Sequence, residues 1–263
     1  MVYTNTNMKA INLTGYLDRI QCTLPAIVPT VEVLSALHKA HTLSVPFENL
    51  DILGNRPITI DTENFYHKIV RERRGGFCYE MNGLFNEVLH LVHFKSYFIS
   101  CNVYIPPIDA YGADFGHVAI IVDMGDLYLA DVGFGDAFIE PLKIAFDVEK
   151  DQYGTKYRFS KLDNQEILLE KSHDGIHYIK MFKFTLQERK LEEFAAMCSF
   201  HQSSPLAPFT KGRLVSLPVA GGRITLTDHN FIKTKNGNKV ETAVKDEVEF
   251  KEKLLSYFSI QLN

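Results

Sequence analysis

The stretch Arg74-Gly75-Gly76-Phe77-Cys78-Tyr79-Glu80-Met81-Asn82-Gly83 places a cysteine directly after a flexible di-glycine and at the start of an amphipathic helix. A thiol at a helix N-terminus lies at the positive end of the helix dipole, which favours thiolate, the reactive form of cysteine. Cys78 is therefore the first candidate for a nucleophile. The helix is predicted to pack in the core, because its apolar residues form one stripe: Met81, Leu84, Phe85, Val88, Leu91 and Val92.

The composition bounds the class of protein. The chain has 263 residues, 46% hydrophobic and 23% charged, which is typical of a folded globular protein. A formal charge of −4 shows no excess of basic residues, so nucleic acid is not expected as a partner. No apolar run approaches the ~20 residues that span a bilayer, and Met1 to Ala10 lacks the apolar region of a signal peptide. The four cysteines form no CxxC pair, so we expect reduced thiols in a cytoplasmic protein.

The N-terminal part is predicted to be helical. Thr30 and Asp61 are positioned to cap two helices, the second of which is expected to end at Gly75-Gly76. The third helix begins at Cys78.

From residue 96 the pattern changes to strands rich in β-branched and aromatic residues, typical of a small antiparallel barrel or sandwich. The predicted strands are 97–105, 117–123, 126–134, 153–161, 167–171 and 178–184. A helical pattern returns at 186–198, before a Ser/Pro-rich loop at 203–208, a hairpin turn at Asn236-Gly237 and a final helix from Asp246. The fold class is therefore α+β, with predicted domains 1–95, 96–185 and 186–263.

A cysteine nucleophile needs a base, and the base needs a group that orients it. His38, His41, His67, His90 and His93 lie in helical stretches and are interpreted as surface or boundary residues. His117 differs, because it follows Gly116 and opens the apolar strand 118–122, where it can face a cavity. Asp131 lies in an otherwise apolar strand, where a carboxylate requires a partner.

The register of the hairpin between these strands indicates the partner. A three-residue loop at 123–125, with Gly125 left-handed, places His117 directly opposite Asp131. Opposed side chains lie about 4.5–5.5 Å apart at Cβ, so Asp131 could accept the imidazole N–H. A two-residue loop at 124–125 would instead put the two side chains on opposite faces. The first register yields a Cys-His-Asp hypothesis.

The chain resembles the arylamine N-acetyltransferases over essentially its whole length. The matching blocks are 74–82 (RGGFCYEMN), 116–118 (GHV), 130–135 (ADVGFG) and 45–50 (VPFENL). The resemblance implies a helical bundle, a β-barrel and an α/β lid, with a papain-like triad of Cys78, His117 and Asp131. The match is weaker in the last third, where Ser203 to Phe209 looks like a divergent Ser-Pro segment of the family.

The activity implied by this resemblance is a ping-pong transfer of acetyl from acetyl-CoA, through an acetyl-cysteine, to arylamines, arylhydrazines or arylhydroxylamines. It implies no metal, no membrane or nucleic-acid partner, a role in xenobiotic metabolism, and a monomer or homodimer. Phe47 and Phe134 flank the matched blocks and are predicted to bind substrate, although core packing explains them equally well. Gly133 and Gly135 are predicted to let the backbone pass close to the coenzyme's pantetheine arm. Arg74 and Glu48 are predicted to form a buried ion pair.

Two alternatives remain open at this stage. One is another Cys-His-Asp enzyme, such as a cysteine protease or a transglutaminase-like hydrolase, in which only the acyl donor differs. The other is a catalytically silent member of the family that binds or senses a ligand.

Overall fold

The structure is a computed structural model that describes residues 11–24, 26–136, 138–219, 221–235 and 237–262. The helices of these residues are α1 Leu13–Arg19, α2 Val31–Ser44, α3 Leu50–Leu53, α4 Thr62–Tyr66, α5 Cys78–Leu91, α6 Ala195–Ser203 and α7 Glu247–Phe258. The strands are β1 Phe47–Glu48, β2 Lys95–Ile105, β3 Ala110–Tyr111, β4 His117–Met124, β5 Asp126–Ala130, β6 Leu142–Lys143, β7 Lys150–Gln152, β8 Thr155–Lys161, β9 Ile167–Ser172, β10 Ile179–Phe184, β11 Leu214–Val219, β12 Gly222–Thr227, β13 Asn230–Lys235 and β14 Asn238–Ala243.

Side-chain caps fix the starts of three helices as the sequence predicts. Thr30, Asp61 and Asp246 each accept a hydrogen bond from a backbone amide in the first turn of α2, α4 and α7. The predicted end of the second helix at Gly75-Gly76 is wrong. Helix α4 continues as a π-helical turn that ends at Arg71. Gly75 instead lies against the Pro46 carbonyl, where an added Cβ would be 1.9 Å from the oxygen, so only glycine fits.

A large antiparallel sheet follows the helices, with strand order β6-β5-β4-β2-β10-β9-β8-β7 and β3 paired to β2. The predicted strands are confirmed to within two residues at each end, except that β5 ends at Ala130 and does not continue to 134. One face of the sheet encloses an apolar core that includes Ile121, Leu129 and Phe182. Helix α5 packs on the other face, where its Leu84, Phe85 and Val88 share a core with side chains such as Val118 and Ile120.

A second sheet, ordered β1-β11-β12-β13-β14, combines distant parts of the chain. Strand β1 pairs with β11, with Phe47 opposite Ser216, so the VPFENL segment joins the C-terminal sheet. The strands that flank the predicted hairpin turn pair as expected, with Lys235 opposite Asn238; Asn236 itself lies outside the described residues. Helix α7 covers the sheet through Phe250, Leu254 and Phe258.

The helix predicted at 186–198 is displaced along the chain. A 3-10 turn occupies Leu191–Phe194, and α6 runs on to Ser203, into the predicted Ser/Pro-rich loop. The α+β fold class is confirmed. The domain boundaries after residues 95 and 185 stay a prediction, and residues 1–10 lie outside the described part. No described helix is long and apolar enough to cross a membrane.

Candidate active site

Cys78 is the first residue of α5, and its side chain is buried. The Glu80 carboxylate accepts a hydrogen bond from the Phe77 backbone amide at 3.1 Å, which satisfies one orphan donor of the helix start. The predicted position of the cysteine at a helix N-terminus is therefore confirmed.

The predicted effect of that position on the thiol is wrong. Burial raises the pKa of Cys78 well above its usual range, and the charges of Cys198 and Asp131 add to the rise. Hydrogen bonding by the backbone amides of Val118 and Tyr79 opposes it without reversing it. The helix dipole is thus outweighed by desolvation. The thiol needs a base to lose its proton.

His117 and Asp131 form a direct, buried hydrogen bond. His117 Nε2 lies 2.7 Å from Asp131 Oδ2, and the side chains are 4% and 0% exposed. A carboxylate can only accept, so Nε2 carries the proton and Nδ1 is the nitrogen free to accept one. The residue after His117 is Val118, whose backbone amide lowers the pKa of Cys78 through a hydrogen bond. The start of β4 therefore lies beside the thiol.

The predicted hairpin register, in contrast, is wrong. Met124 pairs with Asp126 around Gly125, which has a φ of +87°, and Ile120 pairs with Ala130. The turn is tighter than predicted, and the register is displaced by two residues. Because the displacement is an even number, His117 and Asp131 stay on the same face of the hairpin, and their contact survives the error.

Side-chain hydrogen bonds replace the β-ladder beyond Ala130. Asp131 Oδ1 accepts from Asn82 Nδ2 at 2.8 Å and from the Gly133 amide at 2.9 Å. Asn82 Oδ1 accepts from the Val132 amide at 2.9 Å. The Asp131 amide donates to His38 Nε2 at 3.0 Å. These bonds explain why β5 ends before Asp131, and they fix the position of its carboxylate.

His38 and His41 are both fully buried, so their interpretation as surface or boundary residues is wrong. His38 Nδ1 donates to the Ile139 carbonyl at 2.8 Å while Nε2 accepts from Asp131. Burial lowers the pKa of His38 to about 4, so the ring is neutral near pH 7. The helical spacing from Leu34 and Leu37 on α2 was the signal that could have placed both histidines in the core.

A buried ionic cluster holds the RGGFCYE segment to the start of the second sheet. Arg74 donates to Glu48 Oε1 at 2.8 Å, which confirms the predicted pair, and also to Asp51 at 3.0 Å. Lys68 Nζ lies 2.8 Å from Glu80 and 2.9 Å from Asp51. Burial raises the pKa of Glu80 to about 7, against the opposing charge of Lys68.

A narrow cavity adjoins the Asp131 side of this arrangement. Three of the predicted binding residues, Phe47, Phe134 and Gly135, line it together with Asp131. The Phe134 ring also contacts His117 edge-on, with centroids 5.1 Å apart. Gly133 does not line the cavity; a Cβ there would lie 2.8 Å from the Cα of Cys78, so its lack of a side chain is explained by contact with α5. The cavity measures about 20 Å³, so an aromatic ring enters only if lining side chains move.

The site also contains Asn82, Ser216 and Arg223, which were not predicted from the sequence. The sequence pattern could have identified Asn82, because a polar residue one turn after Cys78 on the apolar face of a helix requires a buried partner. No sequence pattern identifies Ser216 and Arg223, because they reach the cavity through the pairing of β1 with β11.

Comparison with known proteins gives the family. The N-acetyltransferase family model matches residues 30–263. The arylamine N-acetyltransferase / N-hydroxyarylamine O-acetyltransferase of Salmonella typhimurium is 31% identical, over 87% of this chain and 81% of its own. The chain belongs to the arylamine N-acetyltransferase family.

Solved structures of arylamine N-acetyltransferases have the same fold. The Salmonella typhimurium enzyme superimposes with a TM-score of 0.89 at 29% identity, covering 95% of this chain and 92% of its own. The Mycobacterium marinum enzyme in complex with CoA gives 0.87 at 28% identity, covering 95% and 93%.

Proposed function

We propose that this arylamine N-acetyltransferase family member transfers acetyl from acetyl-CoA to arylamines, arylhydrazines or arylhydroxylamines through an acetyl-Cys78 intermediate. The observation that carries the proposal is the buried 2.7 Å hydrogen bond between His117 and Asp131. His117 is next to Val118, whose backbone amide lowers the pKa of Cys78 through a hydrogen bond. A nucleophile, a base and an orienting carboxylate are the groups that covalent acyl transfer needs.

In the first half-reaction, Cys78 Sγ attacks the thioester carbonyl carbon while His117 Nδ1 takes the thiol proton. Asp131 stabilises the imidazolium and keeps the proton on Nε2. The thiol form of Cys78 favours this coupled transfer over a preformed thiolate, since burial raises its pKa. The tetrahedral oxyanion is stabilised by the Cys78 amide, which has no intrahelical acceptor at the first position of α5. The C–S bond of the donor then breaks, and its sulfur takes the proton from His117.

In the second half-reaction, the acceptor nitrogen attacks the acetyl carbon of acetyl-Cys78. His117 Nδ1 accepts the N–H proton and returns it to the cysteine sulfur as the amide forms. Arylamines are weakly basic, so their nitrogen is unprotonated near neutral pH and nucleophilic. Phe47 and Phe134 give the acceptor ring two aromatic walls next to His117.

We also propose a cellular location, an oligomeric state and a coenzyme contact for this protein. We place it in the cytoplasm, acting on foreign aromatic amines as a monomer or homodimer without a metal. For the coenzyme, Gly135 supports a close backbone approach, since its φ of +80° and position on the cavity leave room that a side chain would occupy. Gly133 has a second reason to be glycine, its contact with α5.

The deciding experiment is a single turnover with acetyl-CoA and no acceptor, followed by peptide mass spectrometry. We expect one equivalent of free CoA and a gain of about 42 Da on the Cys78 peptide, as covalent catalysis requires. Cys22 is the internal control, because it is a free cysteine that is only half-buried. An adduct on Cys22 alone would indicate non-enzymatic acetylation and contradict the proposal.

Two variants separate the alternatives. Cys78→Ala should abolish both the adduct and arylamine acetylation, and surviving activity would refute Cys78 as the nucleophile. Cys198→Ala removes another buried thiol and should leave the adduct in place. Absence of any adduct on the wild type would favour a Cys-His-Asp hydrolase. An adduct with no transfer to any amine would favour a silent binding module.

A further inference from the structure

Arg223 is a basic residue in the wall of the active-site cavity. It lies on β12 and lines the same cavity as Asp131, Phe134 and Gly135, with its side chain only 19% exposed. A guanidinium is charged at any physiological pH and presents five N–H donors. A cavity with three phenylalanines in its wall therefore also contains one partly buried cation.

The partners of Arg223 within the described residues leave most of those donors without a protein acceptor. Nη1 donates to Ser216 Oγ at 3.0 Å. The nearest carboxylate, Asp136, is 3.6 Å from Nε, is 70% exposed, and lies 2.6 Å from Lys171 Nζ. Arg213, just before β11, provides the contrast, since it binds the carboxylates of Asp228 and Glu247 at 2.5 and 2.8 Å.

The ionic contacts of Arg223 leave an excess of positive charge beside the cavity, while the Asp131 carboxylate in the same wall is held by His117 and Asn82. Arg223 and Lys171 share the single carboxylate of Asp136, so one positive charge is uncompensated among these three groups. Burial lowers the pKa of Arg223, and only Asp136 and Tyr157 oppose it. A desolvated cation without a close counter-charge is costly, and a ligand that supplies an anion recovers that cost. A carboxylate matches the planar fork of a guanidinium with two parallel hydrogen bonds.

We infer that Arg223 is a specificity-determining residue that selects aromatic amines bearing a carboxylate on the ring. The inference rests on the proposed function and names the acceptor class for the same site. The acceptor ring lies between Phe47 and Phe134 with its nitrogen toward His117, and its carboxylate extends to Arg223 and Ser216. A phosphate of CoA is the other anion in the reaction. The pantetheine arm separates those phosphates by many bonds from the thioester, whereas Arg223 and Asp131 share one narrow cavity.

The test compares 4-aminobenzoate with its methyl ester, which keeps the ring and the amine but has no charge. The measured quantity is the ratio of kcat/KM for the acid to kcat/KM for the ester, so the intrinsic reactivity of each amine cancels between variants. Arg223→Met should lower this ratio about 10- to 100-fold, the range for a hydrogen-bonded charged pair. Arg223→Lys keeps the charge without the fork and should give an intermediate ratio.

Lys239→Met is the matched control, because Lys239 lies on the same sheet, is 59% exposed and pairs with Glu241 at 2.8 Å. It should leave the ratio unchanged. The CoA released in the acylation burst shows that each variant is folded and competent. Equal losses for acid and ester in both Arg223 variants, with a normal burst, would overturn the role of Arg223 and leave the proposed function intact. Failure of the wild type to form acetyl-Cys78 would overturn both.

A second arm separates the two sources of an anion. If Arg223 binds a CoA phosphate, Arg223→Met should raise KM for acetyl-CoA but leave the rate with S-acetylpantetheine, which has no phosphates, unchanged. That outcome would contradict our assignment. We expect the burst with either donor to be insensitive to Arg223→Met.

Discussion

The Asn82 side-chain amide donates a 2.8 Å hydrogen bond to Asp131 Oδ1, and the same nitrogen lies 2.7 Å from the Val118 carbonyl oxygen. Asn82 is one helical turn after Cys78, and Val118 follows His117. A single side chain therefore links the helix of the proposed nucleophile to the strand of the proposed base and to the Asp131 carboxylate. The relative position of the three proposed catalytic groups depends on this amide.

Replacing Asn82 should impair catalysis more than it impairs folding. In Asn82→Ala, Asp131 Oδ1 and the Val132 amide lose a buried partner, which costs about 1–3 kcal/mol in the free energy of unfolding. The loss of positioning should lower the acylation rate about 10- to 100-fold. Stopped-flow release of CoA measures the acylation rate, and urea unfolding measures the stability.

Asn86→Ala is the control for this prediction. Asn86 is buried on the next turn of α5, and its side-chain oxygen accepts from Ser96 Oγ at 2.7 Å, away from Asp131. We expect a similar loss of stability with an acylation rate close to that of the wild type. Equal rate losses in the two variants would show that Asn82 acts only through the stability of α5.

The buried neutral His38 should make stability depend on pH. Its folded pKa is lowered to about 4 from an ordinary value of 6.5, so between these values the unfolded chain binds the proton and the folded chain does not. The contribution of His38 to stability is therefore complete above pH 6.5 and is lost as pH falls toward 4. The slope is about 1.4 kcal/mol per pH unit for one histidine. Urea unfolding between pH 7.5 and pH 4.5, a range of about three units, measures it.

His38→Gln isolates that contribution. The variant has no titratable group at this position, so its pH slope should be smaller than that of the wild type by about one proton. His41 is also neutral and buried, with its pKa lowered well below the usual range by burial and by Arg19, so a residual slope should remain. Identical slopes in the two proteins would contradict the assignment of His38.

Lys68 is predicted to be the most sensitive member of the ionic cluster. Burial acts to lower its pKa, but the carboxylates of Glu48, Glu80 and Asp51 raise it. Lys68→Met leaves the buried Glu80 carboxylate without its cation, since Arg74 pairs, among the described residues, only with Glu48 and Asp51, and should lower the free energy of unfolding by about 3–5 kcal/mol at pH 8. The loss should be smaller at pH 6, because Glu80, with a pKa of about 7, can then be protonated.

The double variant Lys68→Met/Glu80→Gln tests the cause of that loss. Removing the second charge should restore part of the stability, since the uncompensated carboxylate is gone. Lys95→Met is the surface control: Lys95 is 78% exposed beside Asp123 and should leave stability nearly unchanged. No recovery in the double variant would assign the loss to packing of the lysine stem.

Local features of the fold were predictable because their causes are local. The caps at Thr30, Asp61 and Asp246 and the apolar stripe of α5 are fixed by residues three or four positions apart. The hairpin error shows the limit of such reasoning. The register depends on the turn conformation at Gly125, and only the even size of the displacement preserved the His117–Asp131 contact.

The remainder of the site depends on contacts between distant segments. Phe47 and Ser216 meet because β1 pairs with β11, and this pairing brings Arg223 to the cavity. No periodicity in the sequence encodes that juxtaposition. The prediction of a lowered pKa for the Cys78 thiol fails for a similar reason. Burial by the whole fold raises this pKa and outweighs the dipole of one helix.

Gly133 gives a steric test of the contact between α5 and the segment that follows β5. An added Cβ would lie 2.8 Å from both the Cα of Cys78 and the side-chain nitrogen of Asn82, and the backbone at Cys78 cannot yield. Gly133→Ala should therefore displace Asp131 from the first turn of α5 and lower the acylation rate about 10-fold or more. Its stability should fall by about 1–3 kcal/mol, as for other overpacked sites.

Gly154→Ala is the matched control, because it introduces the same methyl group where nothing lies within 4 Å. Its φ of +84° makes alanine strained, so this variant should lose stability without losing acylation rate. The acylation rates of Gly133→Ala and Gly154→Ala are compared at a similar loss of stability. A slower rate in Gly133→Ala alone would then be due to displacement of Asp131 and not to strain in a turn. A normal acylation rate in Gly133→Ala would mean that the Cys78–Asp131 spacing tolerates a methyl group, and the tight packing of α5 on this segment would then have no role in catalysis.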